Sequence, residues 1–222
     1  MAFADLVAAA RSAAASRQRS TPLKELRERT RSGPTARDVA SALRAPGRVV
    51  SVIAEVKRAT ATFADLSGVG DVAVLARFYE AGGAACVSVV TEPIRSRGRL
   101  ADLDAVRGAV DVPVLANDVI VTPYQVHEAR AHGADMLVLD ARLAPLVLES
   151  LIERTHSLGM AAVVEAHSRR EALTAVSAGA RYVSVDARDP DTRAIDRSRF
   201  EQVAEVLPAS VTRMATGGVS GP

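Results

Sequence analysis

The sequence is poor in aromatic residues and in cysteine, and both shortages limit what the protein can be. Tryptophan is absent, and aromatic residues make up 3% of the chain, so few side chains can stack on an aromatic ligand. The one cysteine, Cys86, cannot form a disulfide within the chain, and its place in the run ACVSVV predicts a small apolar residue inside a strand. The sequence therefore argues against a disulfide-stabilised secreted domain and predicts a cytoplasmic protein.

The chain also lacks a surplus of charge and a long apolar run. Its 28 Lys and Arg residues nearly balance 26 Asp and Glu residues, so we expect no attraction to nucleic acid or to an anionic membrane. No apolar run approaches the ~18 residues of a membrane span, and the N-terminal stretch MAFADLVAAARSAAASRQRS predicts an amphipathic helix. With 48% hydrophobic residues among 222, one globular domain with a substantial core is expected.

A repeat of about fifty residues organises the chain. Gly-Ala pairs at Gly83, Gly133 and Gly179 each precede an apolar, β-branched run and follow an Ala-rich helical stretch. Glycine is favoured at the end of a helix because it tolerates a left-handed backbone. Four further apolar runs, VVSVIAEV, VPVLAN, MAAVVEA and SVTRMAT, bring the predicted strands to seven, with helical patterns between them.

Strands that are apolar throughout and alternate with helices predict a parallel sheet covered by helices, either an open doubly wound sheet or a closed (β/α)₈ barrel. An open sheet uses only a few strand ends for its ligand, whereas all the strands of a barrel end at one mouth. Polar residues or glycines follow every predicted strand here, which favours the barrel; they are Glu55, Lys57, Thr91, Glu92, Asn117, Asp118, Asp140, Glu165, His167, Asp186, Arg188, Thr216, Gly217 and Gly218.

Some of these polar residues have a simpler explanation as helix N-caps, for which Asp, Asn, Ser and Thr are preferred. For Asp140, and for Thr122 and Ser168 elsewhere in the loops, capping and a functional role both remain open. Lys and Glu are poor helix caps. Because Glu55, Lys57 and Glu165 lie within apolar strands, a functional role is favoured for these three residues.

Several motifs, in order and spacing, resemble those of indole-3-glycerol phosphate synthases. They are PLKELRERT, ARDVASAL, VIAEVKRAT, PVLANDVIVTPYQVHEARAHGAD, LGMAAVVEAHSRREA, SVDARDP and ATGGV. The resemblance covers nearly the whole chain. It implies a single (β/α)₈ TIM-barrel domain, with residues 1–46 as an N-terminal helical extension and residues 47–222 as the barrel.

The resemblance also implies a reaction. The family cyclises, decarboxylates and dehydrates 1-(2-carboxyphenylamino)-1-deoxyribulose 5-phosphate without a metal or organic cofactor, so we expect neither here. Closing the ring onto a ketone carbon requires an acid to protonate the developing alkoxide and a base to assist dehydration. Lys57 and Glu55 match the E-x-K of the first strand, and Glu165 matches the glutamate of V-E-x-H; these three are the expected catalytic residues.

Substrate binding is expected at the remaining strand ends. Arg188 matches the arginine of the sixth strand, and the loop at Gly217 and Gly218 is the family's position for binding phosphate through backbone N–H groups. The expected partner is thus a phosphorylated, anthranilate-like small molecule. The full set of expected binding residues is Arg188, Asn117, Asp118, Asp186, Asp140, Thr216, Gly217 and Gly218.

The site departs from the family pattern at several positions. Asn117 stands where the family has the lysine regarded as general acid, and an amide cannot replace that proton donor. Val119 replaces an aromatic residue, Ser96 a phenylalanine, Asp186 an asparagine, and Thr216 the first residue of E-S-G. Further changes are Thr60, Ala61 and Thr62 in place of S-P-S, and new charges at Asp140, Arg97 and Arg99.

The last motif, GGVSGP, ends the sequence before the eighth strand and final helix of the family pattern, so we expect a barrel without its eighth strand here.

Three interpretations of function follow. The main one is a diverged lyase, of the kind found in secondary metabolism, that applies related acid–base chemistry to another substrate. The alternatives are a genuine synthase of tryptophan biosynthesis with a rearranged general acid, and a non-catalytic binding barrel. Fold resemblance alone does not decide among them.

Overall fold

The computed structural model describes residues 2–44, 47, 50–59 and 70–219. Within them the strands are β1 (Ile53–Val56), β2 (Cys86–Val90), β3 (Val114–Asn117), β4 (Met136–Asp140), β5 (Ala161–Ala166), β6 (Tyr182–Asp186) and β7 (Thr212–Thr216). The helices are α1 (Phe3–Ser20), α2 (Leu23–Ser32), α3 (Val39–Leu43), α4 (Val72–Ala81), α5 (Leu100–Arg107), α6 (Pro123–Ala131), α7 (Pro145–Ser157), α8 (Arg169–Ser177) and α9 (Ser198–Ala204).

The seven strands form one parallel sheet in which every strand lies beside its neighbours in sequence, in the order β1 to β7. Sequential parallel strands with helical connections curl the sheet into a TIM-like half-barrel. The predicted fold class is confirmed. In the described residues β1 and β7 are the two edges of the sheet and do not pair with each other.

The core lies between the sheet and the helices that cover it. All five residues of β2 are buried, and Cys86 is among them, as its apolar surroundings predicted. Side chains from successive strands, such as Val89, Leu137 and Val164, pack with helix residues such as Leu148 in the main hydrophobic cluster. Burial on both faces explains why β2 is apolar throughout. At the edge of the sheet, β7 instead alternates between partly buried and exposed residues.

The Gly-Ala repeat marks the ends of helices, as predicted. Gly83, Gly133 and Gly179 have φ angles of 90°, 89° and 89° and follow α4, α6 and α8. This left-handed conformation costs a residue with a Cβ about 1–2 kcal/mol. It reverses the chain at the end of each helix and directs it into the next strand, which starts three residues later.

Helices α1 and α2 precede the sheet and pack on α6. The Arg17 guanidinium on α1 donates to both carboxylate oxygens of Glu128 on α6, each at 2.8 Å. Leu26 on α2 and Tyr124 on α6 are buried together in a small cluster. The division of the chain at residue 46 stays a prediction. No described helix combines the length and the apolar character needed to cross a membrane.

Candidate active site

The predicted site residues stand at one edge of the sheet because the strands are parallel. The strands were predicted to end near Glu55, Thr91, Asn117, Asp140, Glu165, Asp186 and Ala215, and each observed end lies within one residue of that position. In a curled parallel sheet the carboxyl ends of the strands surround a common mouth. The structure thus brings the polar strand ends to the mouth as a set.

Glu55 connects the first and third strands across the mouth. Its Oε1 forms an ion pair with the Lys57 ammonium, and its Oε2 accepts a hydrogen bond from Asn117 Nδ2 at 3.0 Å. The side chains of Lys57 and Glu55 are 27% and 31% exposed, so both remain accessible to a ligand. Asn117 therefore takes part in the site as a neutral donor that positions Glu55.

Asp118 has a different environment from its neighbour Asn117. Its carboxylate accepts from Thr91 Oγ1 at 2.9 Å and from the Val119 N–H at 2.7 Å. Burial raises the pKa of Asp118, although the Thr91 hydrogen bond opposes this shift. The carboxylate is thus engaged in fixing the loops after β2 and β3, and its predicted role in binding the substrate stays a prediction.

Glu165 lies in the most acidic part of the mouth. Burial, reinforced by the nearby Asp186 carboxylate, raises the pKa of Glu165 to about 7. His167 Nε2 lies 3.7 Å from Glu165 Oε1 and opposes the shift. A carboxyl group with such a pKa can both donate and accept a proton near neutral pH, which is the property required of a general acid–base catalyst.

His167 is held in place by Glu171. Glu171 is the first of two residues at the mouth that were not among the site residues predicted from the sequence. Glu171 Oε2 lies 3.3 Å from His167 Nδ1 and accepts the His167 backbone N–H at 2.7 Å. Burial lowers the pKa of His167, but the Glu171 hydrogen bond and the charge of Glu165 outweigh it, and the net shift is upward. The sequence signals this arrangement by a histidine two residues after Glu165 and a glutamate four residues after that histidine.

Arg142 is the second residue that the sequence analysis missed. Its guanidinium binds both oxygens of Asp140, with the shortest distance 2.6 Å from Nη2 to Oδ2, and also lies 4.0 Å over the Phe3 ring. Asp140 is not a helix cap, because Ala144 occupies the N-cap position of α7. Thr122 and Ser168, in contrast, cap α6 and α8. The Asp140–Arg142 pair links the mouth to the start of α1.

The loop after β2 is organised by Glu92, whose buried carboxylate accepts the backbone N–H groups of Ile94, Arg95 and Ser96 at 2.8 to 3.0 Å. Arg97 follows in a left-handed conformation, with φ of 53°. Ser96 thus contributes its backbone to the loop. The changes at Thr60, Ala61 and Thr62 lie outside the described residues.

The sixth and seventh strands meet at Asp186. Its Oδ1 accepts the Arg188 N–H at 2.8 Å, and Thr216 is its neighbour in the register of β7. The guanidinium of Arg188 makes no hydrogen bond or ion pair to the part of the chain that the structure describes. Gly217 and Gly218 have φ angles of 68° and 69° and turn the chain away from the end of β7.

Gly217→Ala should disturb this corner more than the left-handed backbone alone explains. A Cβ at Gly217 would overlap Asp186 Oδ1, whereas a Cβ at Gly179 would meet nothing within 4 Å. Both glycines have positive φ, so Gly179→Ala measures the backbone cost by itself, about 1–2 kcal/mol. We expect urea unfolding to show a greater loss of stability for Gly217→Ala. Equal losses would mean that Asp186 moves aside freely.

A cation could in principle be held at this end of the mouth. Glu165, His167 and Asp186 each offer one ligand atom, and the three atoms lie within 4.8 Å of one another. The carboxylates of Asp118 and Asp140 are engaged by Thr91 and by Arg142 instead. The acid–base roles expected of the site residues require no metal, and the expectation of none stays a prediction.

Comparisons with known proteins place these features in a family. The family model described as indole-3-glycerol phosphate synthase matches residues 3–222. The chain is 51% identical over 218 residues to an indole-3-glycerol phosphate synthase of Mycobacterium sp. (strain KMS), covering 98% of this chain and 79% of that protein. The corresponding enzyme of Beutenbergia cavernae is 49% identical over 219 residues, which cover 98% of this chain and 81% of that protein.

Solved structures of lower sequence similarity share the fold. An N-acetylmannosamine-6-phosphate 2-epimerase from Clostridium perfringens aligns with a TM-score of 0.56 and 18% identity, over 68% of this chain and 69% of the other. Thiamine phosphate pyrophosphorylase from Pyrococcus furiosus aligns with a TM-score of 0.52 and 22% identity, over 66% and 69%. These likenesses support the barrel architecture alone. The family model and the close relatives establish that the chain belongs to the indole-3-glycerol phosphate synthase family of lyases.

Proposed function

We propose that the protein catalyses the indole-3-glycerol phosphate synthase reaction, with Lys57 as the general acid. The observation that carries this proposal is the position of Glu55, which holds the Lys57 ammonium on one side and Asn117 on the other. About half of all residues are identical to those of synthases named as such, which supports the synthase alternative of the sequence analysis over its main interpretation, a diverged lyase.

The first step closes the five-membered ring. The aromatic carbon that bears the carboxylate attacks the ketone carbon of the substrate, and the carbonyl oxygen becomes an alkoxide that must be protonated. The sequence contains two lysines, Lys57 and Lys24, and Lys24 lies on α2, outside the mouth. Lys57 therefore replaces the absent family lysine as the ammonium donor, while Asn117 orients its partner Glu55.

Glu165 completes the proton transfers. After ring closure the substrate carboxylate leaves as carbon dioxide, and the new hydroxyl leaves as water to give the indole. Dehydration requires a base to remove a proton and an acid to protonate the leaving hydroxyl. Because burial raises the pKa of Glu165 to about 7, Glu165 can perform either transfer, and its charge also favours the positive nitrogen that forms during dehydration.

The anionic groups of the substrate require cations and N–H donors. The phosphate is assigned to the turn at Gly217 and Gly218, where two left-handed glycines place backbone N–H groups near the mouth. Arg188 has a guanidinium without a partner among the described residues, and it suits bidentate recognition of a carboxylate or phosphate. We assign it to the substrate carboxylate.

The test is direct turnover of 1-(2-carboxyphenylamino)-1-deoxyribulose 5-phosphate, followed by indole fluorescence and by release of carbon dioxide. We expect the wild-type chain to convert it and the Lys57→Ala, Glu165→Gln double variant to be inactive. Inactivity of the folded wild-type chain over several hours would reject the proposal.

A second candidate is related chemistry on a different phosphorylated substrate. It is favoured by Asp186, which adds a carboxylate beside Glu165 where the family pattern has a neutral asparagine. The same assay separates the two candidates. Saturable binding of the family substrate without indole formation would support the second, and the absence of both would support a barrel with another ligand.

A further inference from the structure

A basic cavity lies on the outside of the barrel, between helices α2, α6 and α7. Its volume is about 380 Å³, and the residues that line it are Arg27, Thr30, Arg31, His127, Arg154 and Leu158. None of the six is acidic. The volume falls within the roughly 300–1,000 Å³ typical of small-molecule sites. None of the mouth residues lines it, so the cavity is separate from the proposed active site.

Two buried polar atoms in this cavity have no partner among the described residues. His127 is 4% exposed, and its Nδ1 makes no hydrogen bond. The Thr30 hydroxyl is also buried without a partner. Leaving such a group unsatisfied costs roughly 1–3 kcal/mol, and both groups line the same opening. A ligand with hydrogen-bonding oxygens would satisfy them if these two side chains turn toward it.

The three arginines also lack partners. The guanidinium groups of Arg27, Arg31 and Arg154 form no ion pair or hydrogen bond within the described part of the chain. Burial lowers the pKa of His127, and the charges of Arg27 and Arg154 lower it further. The cavity is thus a concentration of positive charge that nothing in the described chain neutralises.

Stabilisation of helix ends explains part of this pattern but not all of it. Arg31 and Arg154 lie in the last turns of α2 and α7, where cations interact favourably with the helix dipole. That account does not apply to Arg27 in the middle of α2. Nor does it explain why Thr30 and His127, which both line the cavity, each have a buried polar atom without a partner among the described residues.

From this arrangement we propose that the cavity binds a phosphate-bearing small molecule as a second ligand site. Guanidinium groups bind phosphate oxygens in bidentate, charge-assisted hydrogen bonds, and the Thr30 hydroxyl and the His127 ring supply shorter-range contacts. Because the ligand would bridge α2 to α6 and α7, it would fix the N-terminal helices to the barrel. The proposal does not depend on the reaction catalysed at the mouth.

Inorganic pyrophosphate is a suitable probe, titrated calorimetrically into the full chain at low ionic strength. The mouth also offers a guanidinium without a partner among the described residues, that of Arg188, so the titration is made in the Arg188→Ala background, where we expect one equivalent to bind still. Adding Arg27→Ala and Arg154→Ala should weaken that binding about 100-fold, roughly tenfold for each lost charge-assisted contact. All three arginine side chains can be removed with little risk to folding, because none is buried.

Arg29→Ala is the matched control. Arg29 carries the same charge on the same helix, but it pairs with Glu25 and does not line the cavity, so its removal should leave pyrophosphate affinity within about twofold. As a second measurement, the His127 ring resonances should shift on titration of the wild-type chain. Loss of affinity in Arg29→Ala equal to that in the double change, or unshifted His127 resonances at saturation, would overturn the proposal.

Discussion

Lys57→Ala should reduce turnover of the family substrate by about 10²–10⁴-fold, the usual contribution of a general acid. No other lysine of the sequence is near the mouth, so no second ammonium can take over the proton transfer. The melting temperature should change little. The Lys57 and Glu55 side chains are 27% and 31% exposed, and an ion pair in such a position contributes on the order of 0–1 kcal/mol. Glu55 also keeps its hydrogen bond from Asn117 in the variant.

Two further variants distinguish proton donation from charge alone. Lys57→Arg keeps a cation beside Glu55 but replaces the ammonium by a guanidinium, which does not give up its proton near neutral pH. Arginine should therefore fail nearly as badly as alanine. Lys24→Ala on α2 removes the other lysine and should leave turnover unchanged. If Lys57→Ala keeps its activity but loses much of its stability, the Glu55–Lys57 pair is structural and the assignment of the acid is wrong.

The fold could be predicted from local signals because each of them acts within a few residues. Each of the glycines Gly83, Gly133 and Gly179 has a left-handed backbone at the end of a helix, and a strand starts three residues after it. These glycines therefore predict both the helix ends and the strand starts. The apolar runs then set the strand ends to within one residue. The position of the start of α1 beside Arg142 could not be predicted in this way, since it depends on the contact of Phe3 with Arg142, two residues far apart in the chain.

The sequence predicted which polar residues lie at the ends of the strands, but not which of their side chains are hydrogen-bonded to each other. Asn117 and Asp118 are adjacent, yet one contacts Glu55, 62 residues away, and the other contacts Thr91, 27 residues away. Successive residues at a strand end point in different directions, so a one-residue difference selects a different partner. Both residues were expected to contact the substrate, and that role stays a prediction for each. The structure shows Asn117 paired with Glu55, and Asp118 paired with Thr91.

The replacement of the family lysine by Asn117 is weaker evidence for a diverged enzyme once the contacts of Asn117 are known. From the sequence, the loss of that lysine together with the other departures at the strand ends favoured a diverged enzyme over a synthase with a rearranged general acid. In the structure, Asn117 donates to the same carboxylate that pairs with Lys57. A charged group was exchanged for a neutral hydrogen-bond donor, and the site retains one ammonium and one carboxyl group with a raised pKa.

Glu165→Gln should abolish most activity and, at the same time, stabilise the protein at alkaline pH. The pKa of Glu165 is raised from 4.5 to about 7 by burial and by Asp186, so between these values the folded state binds more protons than the unfolded state. The free energy of unfolding therefore falls as pH rises through this interval. Below pH 4.5 the contribution is fully present, and above pH 7 the fold carries a partly buried Glu165 carboxylate beside that of Asp186. Glutamine keeps the shape of the side chain without the charge.

The expected result is a difference between variant and wild type that depends on pH. In urea unfolding the two should be similarly stable near pH 4.5, and Glu165→Gln should be more stable at pH 8 by on the order of 3 kcal/mol. His167, whose pKa is also raised, adds a slope of the same sign in the wild type, and removal of the Glu165 charge weakens that contribution too. Glu153→Gln, at an exposed glutamate of α7, is the control and should shift neither stability nor turnover. A Glu165→Gln variant whose stability difference from wild type is constant from pH 4.5 to pH 8 would show that this carboxyl titrates normally, and with it the argument for Glu165 as acid–base catalyst would fail.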